Sequence, residues 1–307
     1  MSKKLKIAFA GTPDFALPSL ENLFADSEIT IEKVFTQPDR PVGRGQKIAS
    51  PPVKILAEKF HLPVEQNKLT AANLPEDLDF LAVVAFGQIL PSEILALPRF
   101  GCVNLHASLL PKFRGASPIQ SAILAGEQKT GVSFQKISVK LDVGDLFASF
   151  TIPLKNETSS ELAVKLAVLG GAKFPEVLKK IAAGEIIAIP QDETAATHCS
   201  KIQKADGQVD WQKDSTDLLL RKARAFFDWP GVWTIFAKQN LKLVEFTAAQ
   251  KFPGKKPGEV FASEKHIFVA TRDASLELRK VQLAGKKVLE AVDFARGNVK
   301  FVGSLLE

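Results

Sequence analysis

The sequence has few cysteines and no long apolar run, and both absences narrow the class of protein. Cys102 and Cys199 are its only cysteines, and they form no Cys-x-x-Cys motif, so we expect no disulfide framework. No apolar segment approaches the roughly 18 residues that indicate a membrane span. The short apolar run after Lys6 is also too short for the hydrophobic segment of a signal peptide. We therefore expect a cytosolic protein (in a bacterial cytosol or its organelle equivalent) with no membrane partner.

Several common ligand-binding motifs are also missing. The sequence contains neither a Gly-x-Gly-x-x-Gly dinucleotide fingerprint nor a P-loop. His61, His198 and His266 are scattered without the spacing of metal ligands, so no metal site is expected. The net charge of +6 over 307 residues is compatible with a polyanionic partner but does not establish one.

Strand-like and helix-like segments alternate through the first 189 residues. The apolar run Phe80–Phe86 is typical of a strand that is covered on both faces of a parallel sheet. This alternation predicts a mostly parallel α/β sheet, in which one of the helices runs over 115–125. In such sheets, functional sites lie beyond the carboxyl ends of the strands, and Gly11, Gln37, Gly87 and His106 each follow a predicted strand. We expect three separated motifs that follow these strands to lie close together at that edge of the sheet.

The pattern changes near Ala183. Residues 190–206 are polar and lack a steady period, which favours a linker, and short strand-like runs over 207–307 predict a small antiparallel barrel. Residues 207–307 carry 17 Lys and Arg against 12 Asp and Glu, which is +5 of the chain's +6. The lysines of 251–256 and 286–287 are candidate phosphate contacts as a group, although for any single lysine an ordinary solvated side chain is the favoured alternative.

Three polar side chains near strand ends suit acyl transfer to an amine. His106 can move a proton, the Asn104 amide can donate to an oxyanion, and the Asp142 carboxylate can orient the imidazole and stabilise its cation. Asn104 and His106 are two residues apart, so they share one face of an extended strand. The alternatives are a structural histidine, a turn-forming asparagine and an Asx turn at Asp142.

Two loops near these residues are candidates for ligand binding. Residues 37–47 are basic and rich in glycine and proline, which suits phosphate but also suits a solvated loop. The loop 108–111 could hold a flat heterocycle through its backbone groups or simply be tucked into the core. The turn at Gly11–Pro13 leads into a helix whose amides favour an anionic or carbonyl ligand, unless it is a plain strand-to-helix turn.

Taken together, these motifs resemble one family. Asn104-x-His106, Ser108-Leu-Leu-Pro111, Arg114-Gly115 and Asp142 resemble the formyltetrahydrofolate-dependent formyltransferases. The resemblance runs nearly end to end for the members that formylate methionyl-tRNA. It includes the segments 9–15, 35–45, 50–54, 85–91, 131–132, 142–145, 191–193 and 210–211. Ala107 and Phe86 depart from the glycine and tyrosine that are common in the family, and neither departure affects the chemistry.

The resemblance implies a fold, a set of site residues and their ligands. The fold is a Rossmann-like catalytic domain (1–189), a linker (190–206) and an OB-like tRNA-binding barrel (207–307). The implied catalytic residues are Asn104, His106 and Asp142. The residues implied to bind 10-formyltetrahydrofolate are Ser108, Leu109, Leu110, Pro111, Phe86, Gly87, Ile89 and Leu90. Those implied to bind the acceptor substrate are Gly11, Thr12, Pro13, Arg40, Arg44 and Arg114.

The implied reaction is direct formyl transfer in translation initiation, by a monomer that uses no metal. The partners are initiator methionyl-tRNA and tetrahydrofolate. Asn104 and protonated His106 would stabilise the oxyanion, while Asp142 holds His106. One alternative is another folate-dependent formyltransferase or a formyltetrahydrofolate hydrolase that acts on a small acceptor. The other is a non-catalytic RNA-binding protein with a decayed active site.

Overall fold

The structure, a computed structural model, describes residues 4–42 and 45–307. The chain divides into two compact units. The N-terminal unit takes in residues up to 119 together with 128–155 and 161–200, and the C-terminal unit takes in 120–127, 156–160 and 201–307. The domain bounds 1–189, 190–206 and 207–307 stay a prediction.

Strands and helices alternate along the first two thirds of the chain. The strands are β1 (Leu5–Gly11), β2 (Ile29–Phe35), β3 (Arg40–Val42), β4 (Lys47–Ala49), β5 (Val64–Glu65), β6 (Phe80–Val84), β7 (Cys102–His106), β8 (Arg114–Gly115), β9 (Lys129–Lys136), β10 (Leu146–Pro153) and β11 (His198–Cys199). The helices are α1 (Leu17–Ala25), α2 (Pro52–Lys59), α3 (Ser92–Leu95), α4 (Pro118–Ala125) and α5 (Ser159–Ala182).

The main sheet has seven strands in the order β10-β9-β7-β6-β1-β2-β5. The five strands from β7 to β5 in this order pair in parallel, and β9 and β10 extend the sheet with antiparallel pairs. Strand β6 is buried along its whole length, as its unbroken apolar sequence predicts. The mostly parallel α/β fold is therefore confirmed. Because β1, β6 and β7 are parallel, Gly11, Val84 and His106 end at the same edge of the sheet.

Two predicted boundaries were wrong for local backbone reasons. Strand β6 ends at Val84 rather than at Phe86, because Ala85 takes a left-handed conformation with φ +46°. The helix predicted to begin at Gly115 begins at Pro118 instead. Gly115 has φ +119°, a conformation that suits glycine, and lies in the short parallel pair β8–β11.

The C-terminal unit contains a second sheet in which every strand pair is antiparallel. Its elements are α6 (Thr216–Ala225), β12 (Val232–Phe236), β13 (Gln239–Ala249), β14 (Val260–Ser263), β15 (His266–Ala270), β16 (Ser275–Leu283), β17 (Leu289–Glu290) and α7 (Ala291–Gly297). The strand order is β12-β13-β16-β15-β14, and β17 pairs with β16.

The last residues of the chain join the two edges of this sheet. Glu307 exchanges backbone hydrogen bonds with Ile235 of β12, and Leu306 and Ser304 accept or donate bonds at the β14 edge. The sheet is therefore closed into a barrel, which confirms the predicted antiparallel barrel. Trp211 is buried in its core, where the indole Nε1 donates to Thr234 Oγ1 at 2.9 Å. Among the described residues, no helix is both long and apolar enough to cross a membrane.

Candidate active site

Strand β7 presents Asn104 and His106 on one face, as their spacing predicts. His106 is buried, whereas Asn104 is half-buried. Within the described part of the chain, the Asn104 side-chain amide has no hydrogen-bond partner. An amide in this state can donate to a ligand without first breaking a bond within the protein.

His106 lies between a carbonyl and a carboxylate. Its Nε2 is 3.0 Å from the Phe113 carbonyl oxygen, and its Nδ1 is 3.6 Å from Asp142 Oδ1. Because Nε2 faces an oxygen that can only accept, this nitrogen carries the hydrogen in the neutral ring. Both ring nitrogens of His106 therefore face oxygen atoms of the protein, each of which can accept a hydrogen bond from the ring.

The Asp142 carboxylate is held by two donors. Oδ2 accepts from the Gly115 backbone N–H at 2.9 Å, and Oδ1 accepts from Gln135 Nε2 at 2.8 Å. The side chain is 8% exposed. Asp142 has φ +54°, so its backbone also needs support from its surroundings. In the predicted trio, His106 Nδ1 therefore faces the Asp142 carboxylate at ion-pair distance, and Asn104 lies on the same strand face as His106.

The loop after β7, which contains Ser108 to Pro111, is fixed by internal hydrogen bonds. Ser108 Oγ donates to the Lys112 carbonyl at 2.6 Å, and the Leu110 N–H donates to Ser133 Oγ at 3.0 Å. Ser108 and Leu110 are buried, whereas Leu109 and Pro111 are half-buried. The side chains with surface left for a ligand are therefore Leu109 and Pro111.

Three loops at the edge of the sheet meet at the Phe86 carbonyl. Thr12 Oγ1 donates to this oxygen at 2.9 Å, and Gln37 Nε2 donates to it at 3.3 Å. The loops after β1, β2 and β6 are thereby tied together, as the parallel topology predicts. Gly11 is buried, and Pro13 is exposed.

The side chains of the loop after β6 divide into two groups. Phe86 and Leu90 are buried in the hydrophobic core, so they anchor the loop to the core. Gly87 and Ile89 are exposed, and Ile89 is 86% exposed. Gly87 and Ile89 are thus the members of the predicted folate set on this loop that face solvent.

The basic loop forms a short hairpin, β3–β4, with an anchored base. Lys54 Nζ lies 2.9 Å from Asp39 Oδ2, and its hydrogen bond holds the pKa of the Asp39 carboxyl below its usual value. Arg40 is exposed, and its guanidinium donates to Gln37 Oε1 at 2.8 Å. Arg44, predicted to bind the acceptor, lies outside the described residues.

Arg114 is buried within the protein. Its Nε and Nη2 donate to Gln191 Oε1 at 3.0 and 2.9 Å, and its Nη1 and Nη2 donate to the Glu193 carboxylate at 2.9 and 2.7 Å. The ion pair raises the pKa of Arg114 and lowers that of Glu193. Its predicted contact with the acceptor stays a prediction, and its contacts here are to Gln191 and Glu193.

Two residues near the catalytic set were missed as site residues by sequence reasoning. Gln135 donates to Asp142, and Gln191 donates to the Asp142 and Gly144 carbonyls at 2.9 and 2.7 Å. No sequence signal marked Gln135, because three of the six residues in 132–137 are polar. Gln191 belongs to a segment noted for its family resemblance but interpreted as the start of a linker.

A cavity of about 380 Å³ lies beside the catalytic cluster. It is lined by Arg114, Gly115, Leu141, His198, Cys199 and Ser200. Gly115 connects the two features, because its N–H binds the Asp142 carboxylate. Among the described residues, no group of three or more His, Cys, Asp or Glu side chains is placed to hold a metal ion.

Two family models and a curated relative match this chain. The family model described as formyl transferase matches residues 5–178, and the model of the formyl transferase C-terminal domain matches residues 201–299. A curated methionyl-tRNA formyltransferase of Methylococcus capsulatus is 41% identical over 301 aligned positions, and the match covers 94% of this chain and 96% of the relative.

Solved structures share the fold at lower identity. An N-formyltransferase from Helicobacter canadensis, in complex with folinic acid and dTDP-3-aminofucose, has a TM-score of 0.66 at 20% identity, over 89% of this chain and 98% of its own. HypX from Aquifex aeolicus, in complex with tetrahydrofolic acid, has a TM-score of 0.62 at 19% identity, over 98% of this chain and 48% of its own. This chain therefore spans about half the length of HypX. At these identities the likeness is one of fold.

Proposed function

Because this chain belongs to the formyl transferase family, we propose that it transfers a formyl group from 10-formyltetrahydrofolate to the α-amino group of methionyl-initiator tRNA. The observation that carries the proposal is the near full-length likeness to the curated methionyl-tRNA formyltransferase, which spans both family domains. The cluster of His106, Asp142 and Asn104 supports the chemistry, because it offers a proton carrier, a carboxylate to hold it and a free amide donor.

In the proposed reaction, one C–N bond forms and another breaks. The α-amine nitrogen bonds to the formyl carbon, the bond between that carbon and N10 breaks, and the proton lost by the amine ends on N10. Asn104 donates its amide hydrogen to the formyl oxygen as that oxygen becomes negative. His106 carries the proton, and Asp142 stabilises the charged ring.

The folate is proposed to lie against two loops. Ser108 to Pro111 form one wall and residues 86–90 form the other. The half-buried Leu109 and the exposed Ile89 offer apolar surface to a heterocycle, and internal hydrogen bonds hold the first loop in shape. The buried Phe86 and Leu90 act from beneath the second loop.

The acceptor is proposed to be a tRNA because the basic surfaces suit a phosphate backbone. Arg40 is an exposed cation at the base of the basic loop that includes Arg44, and residues 207–307 hold most of the chain's positive excess. Gly11, Thr12 and Pro13 border the same edge of the sheet and are proposed acceptor contacts. We propose that the protein acts as a monomer in the compartment where translation is initiated, a bacterial cytosol or its organelle equivalent.

One assay separates this function from its rivals. The purified protein is given 10-formyltetrahydrofolate with methionyl-initiator tRNA, methionyl-elongator tRNA, glycinamide ribonucleotide, an amino sugar nucleotide or buffer, and the formylated product is identified. We expect product with the initiator tRNA, and tRNA affinity that falls steeply with salt. Transfer only to a small acceptor, formate release alone, or tRNA binding without any transfer would contradict the proposal.

A further inference from the structure

Residues 191–200 do not hang free from the N-terminal unit but lie along the catalytic loops. We refer to them as the strap. The Thr197 N–H donates to the Pro111 carbonyl at 3.2 Å, and the Arg114 N–H donates to the Thr197 carbonyl at 2.9 Å. The Ala116 N–H donates to the Cys199 carbonyl at 3.1 Å. The strap is therefore bonded to the loop that follows the catalytic strand β7.

Gln191, at the beginning of the strap, uses both ends of its side chain. It is 8% exposed. Nε2 donates to the carbonyls of Asp142 and Gly144 at 2.9 and 2.7 Å, and Oε1 accepts two bonds from Arg114. One amide thus links the buried guanidinium to the backbone that carries the catalytic carboxylate.

Gln135 reaches the same residue from β9. It is 2% exposed, and its Nε2 donates to Asp142 Oδ1 at 2.8 Å. This is the oxygen that faces His106 Nδ1 at 3.6 Å. Gln135 therefore fixes the position of the carboxylate atom that acts on the histidine.

We propose that Gln135 and Gln191 are positioning residues that hold Asp142 against His106, an inference that rests on the proposed function. Gln135 fixes the orientation of the Asp142 carboxylate. Gln191 fixes the backbone carbonyls of Asp142 and Gly144, which lie on either side of Val143. Asp142 also has a left-handed conformation, which is uncommon for non-glycine residues and which these hydrogen bonds help to keep. A catalytic carboxylate must also be held within a fraction of an ångström of its partner.

Glutamate substitutions separate these hydrogen bonds from simple packing. Gln191→Glu keeps the shape and the acceptor for Arg114, but it removes the N–H groups that hold the two carbonyls. Gln135→Glu places a second carboxylate against Asp142, where like charges disfavour ionisation of the pair. At low pH the introduced carboxyl can take a proton and donate to Asp142 again.

The test measures kcat and KM for both variants, with unfolding midpoints to verify that each one folds. We expect kcat to fall about 10- to 100-fold, the range of cost of misplacing a catalytic group by roughly 1 Å, with KM changed much less. The kcat of Gln135→Glu relative to wild type should recover as the pH is lowered. In an Asp142→Ala background neither substitution should lower kcat further by more than about twofold. Thr194→Ala, an exposed change on the strap, is the matched control and should keep the wild-type kcat.

Several outcomes would overturn the inference. The first is a kcat within about twofold of wild type in both folded variants. The second is a kcat that falls by the same factor in the wild-type and the Asp142→Ala backgrounds. An unchanged pH profile for Gln135→Glu would remove Gln135 from the proposal. Failure of the proposed function is separate, because wild-type protein would then formylate no methionyl-tRNA, while the variants could still be compared in whatever formyl transfer or hydrolysis it performs.

Discussion

His106 and His266 each lie opposite a carboxylate, but one pair is buried and the other is exposed. The side chains of His106 and Asp142 are 7% and 8% exposed, with 3.6 Å between Nδ1 and Oδ1. The side chains of His266 and Glu277 are 55% and 23% exposed, with 2.9 Å between Nδ1 and Oε1. The shorter contact is thus the one in solvent.

The difference lies in what surrounds each pair. Asp142 is fixed by the Gly115 amide and Gln135, and the second nitrogen of His106 faces the Phe113 carbonyl. An exposed pair is weakened by water and salt, and it is free to change rotamer. Burial and supporting hydrogen bonds, rather than the distance between two atoms, therefore distinguish the proposed catalytic pair from an ordinary surface ion pair.

Replacing each histidine with alanine tests the difference between the two pairs most directly. We expect His106→Ala to lower kcat about 10²- to 10⁴-fold, the usual contribution of a positioned acid–base group. His266→Ala should leave kcat unchanged, because its ring has no bond to the catalytic cluster. Formylation rates of the two variants under saturating donor test this. Equal losses would show that burial does not distinguish the pairs.

The next largest effect is expected at Gly115, whose backbone N–H binds the Asp142 carboxylate of the buried pair. A Cβ on Gly115 would lie 2.1 Å from the Cys199 carbonyl oxygen, and φ there is +119°. We expect Gly115→Ala to lower the free energy of unfolding by about 2–4 kcal/mol. Gly297→Ala at the end of α7 is the matched control, because nothing lies within 4 Å of its added Cβ.

Urea unfolding of the two glycine variants measures this effect. The expected shift for Gly297→Ala is below about 0.5 kcal/mol, as at most surface positions. Loss of stability in both variants, or in neither, would mean that the strap and the catalytic loop pack less tightly than their contacts indicate.

The family resemblance carried by the sequence predicted His106 and Asp142 as a pair, but not the residues that support them. Strand periodicity predicted only that Asn104 and His106 share a face, and parallel strands predicted that the loops converge. Gln191 could not be placed, because its partners at Asp142 and Gly144 are 47 residues or more away. Polar composition alone predicted a linker where the strap lies.

The sequence predicted less where the conformation of a glycine or the closure of the barrel determines the structure. A helical pattern predicted a start at Gly115, yet a close approach of two backbones fixes this residue in β8. Helix α7 was not predicted. The closure of the barrel by Glu307 was not predicted either, because it depends on backbone hydrogen bonds that any residue type can form.

An exposed cation near the active site should affect binding rather than chemistry. Arg40 is exposed and donates to Gln37. We expect Arg40→Ala to raise KM for the tRNA about tenfold and to leave kcat unchanged, because a single phosphate contact contributes to affinity without touching the reacting atoms. The salt dependence of tRNA affinity should lose about one unit of slope. A fall in kcat at constant KM would place Arg40 in the chemistry instead.

The smallest effect is expected where a buried and an exposed group meet, at Arg114 and Glu193. The hydrogen bond from Arg114 lowers the pKa of the Glu193 carboxyl, so the pair stabilises the folded state above the carboxyl's unfolded pKa of about 4.3. That contribution disappears as the pH falls through the lower folded pKa. Wild-type protein should therefore be more stable than Glu193→Gln at neutral pH, with the difference shrinking below about pH 4. Unfolding midpoints across this range check the sign. If Glu193→Gln were as stable as wild type at every pH, exposure would have removed the influence of Glu193, and Arg114 would rely on Gln191 alone.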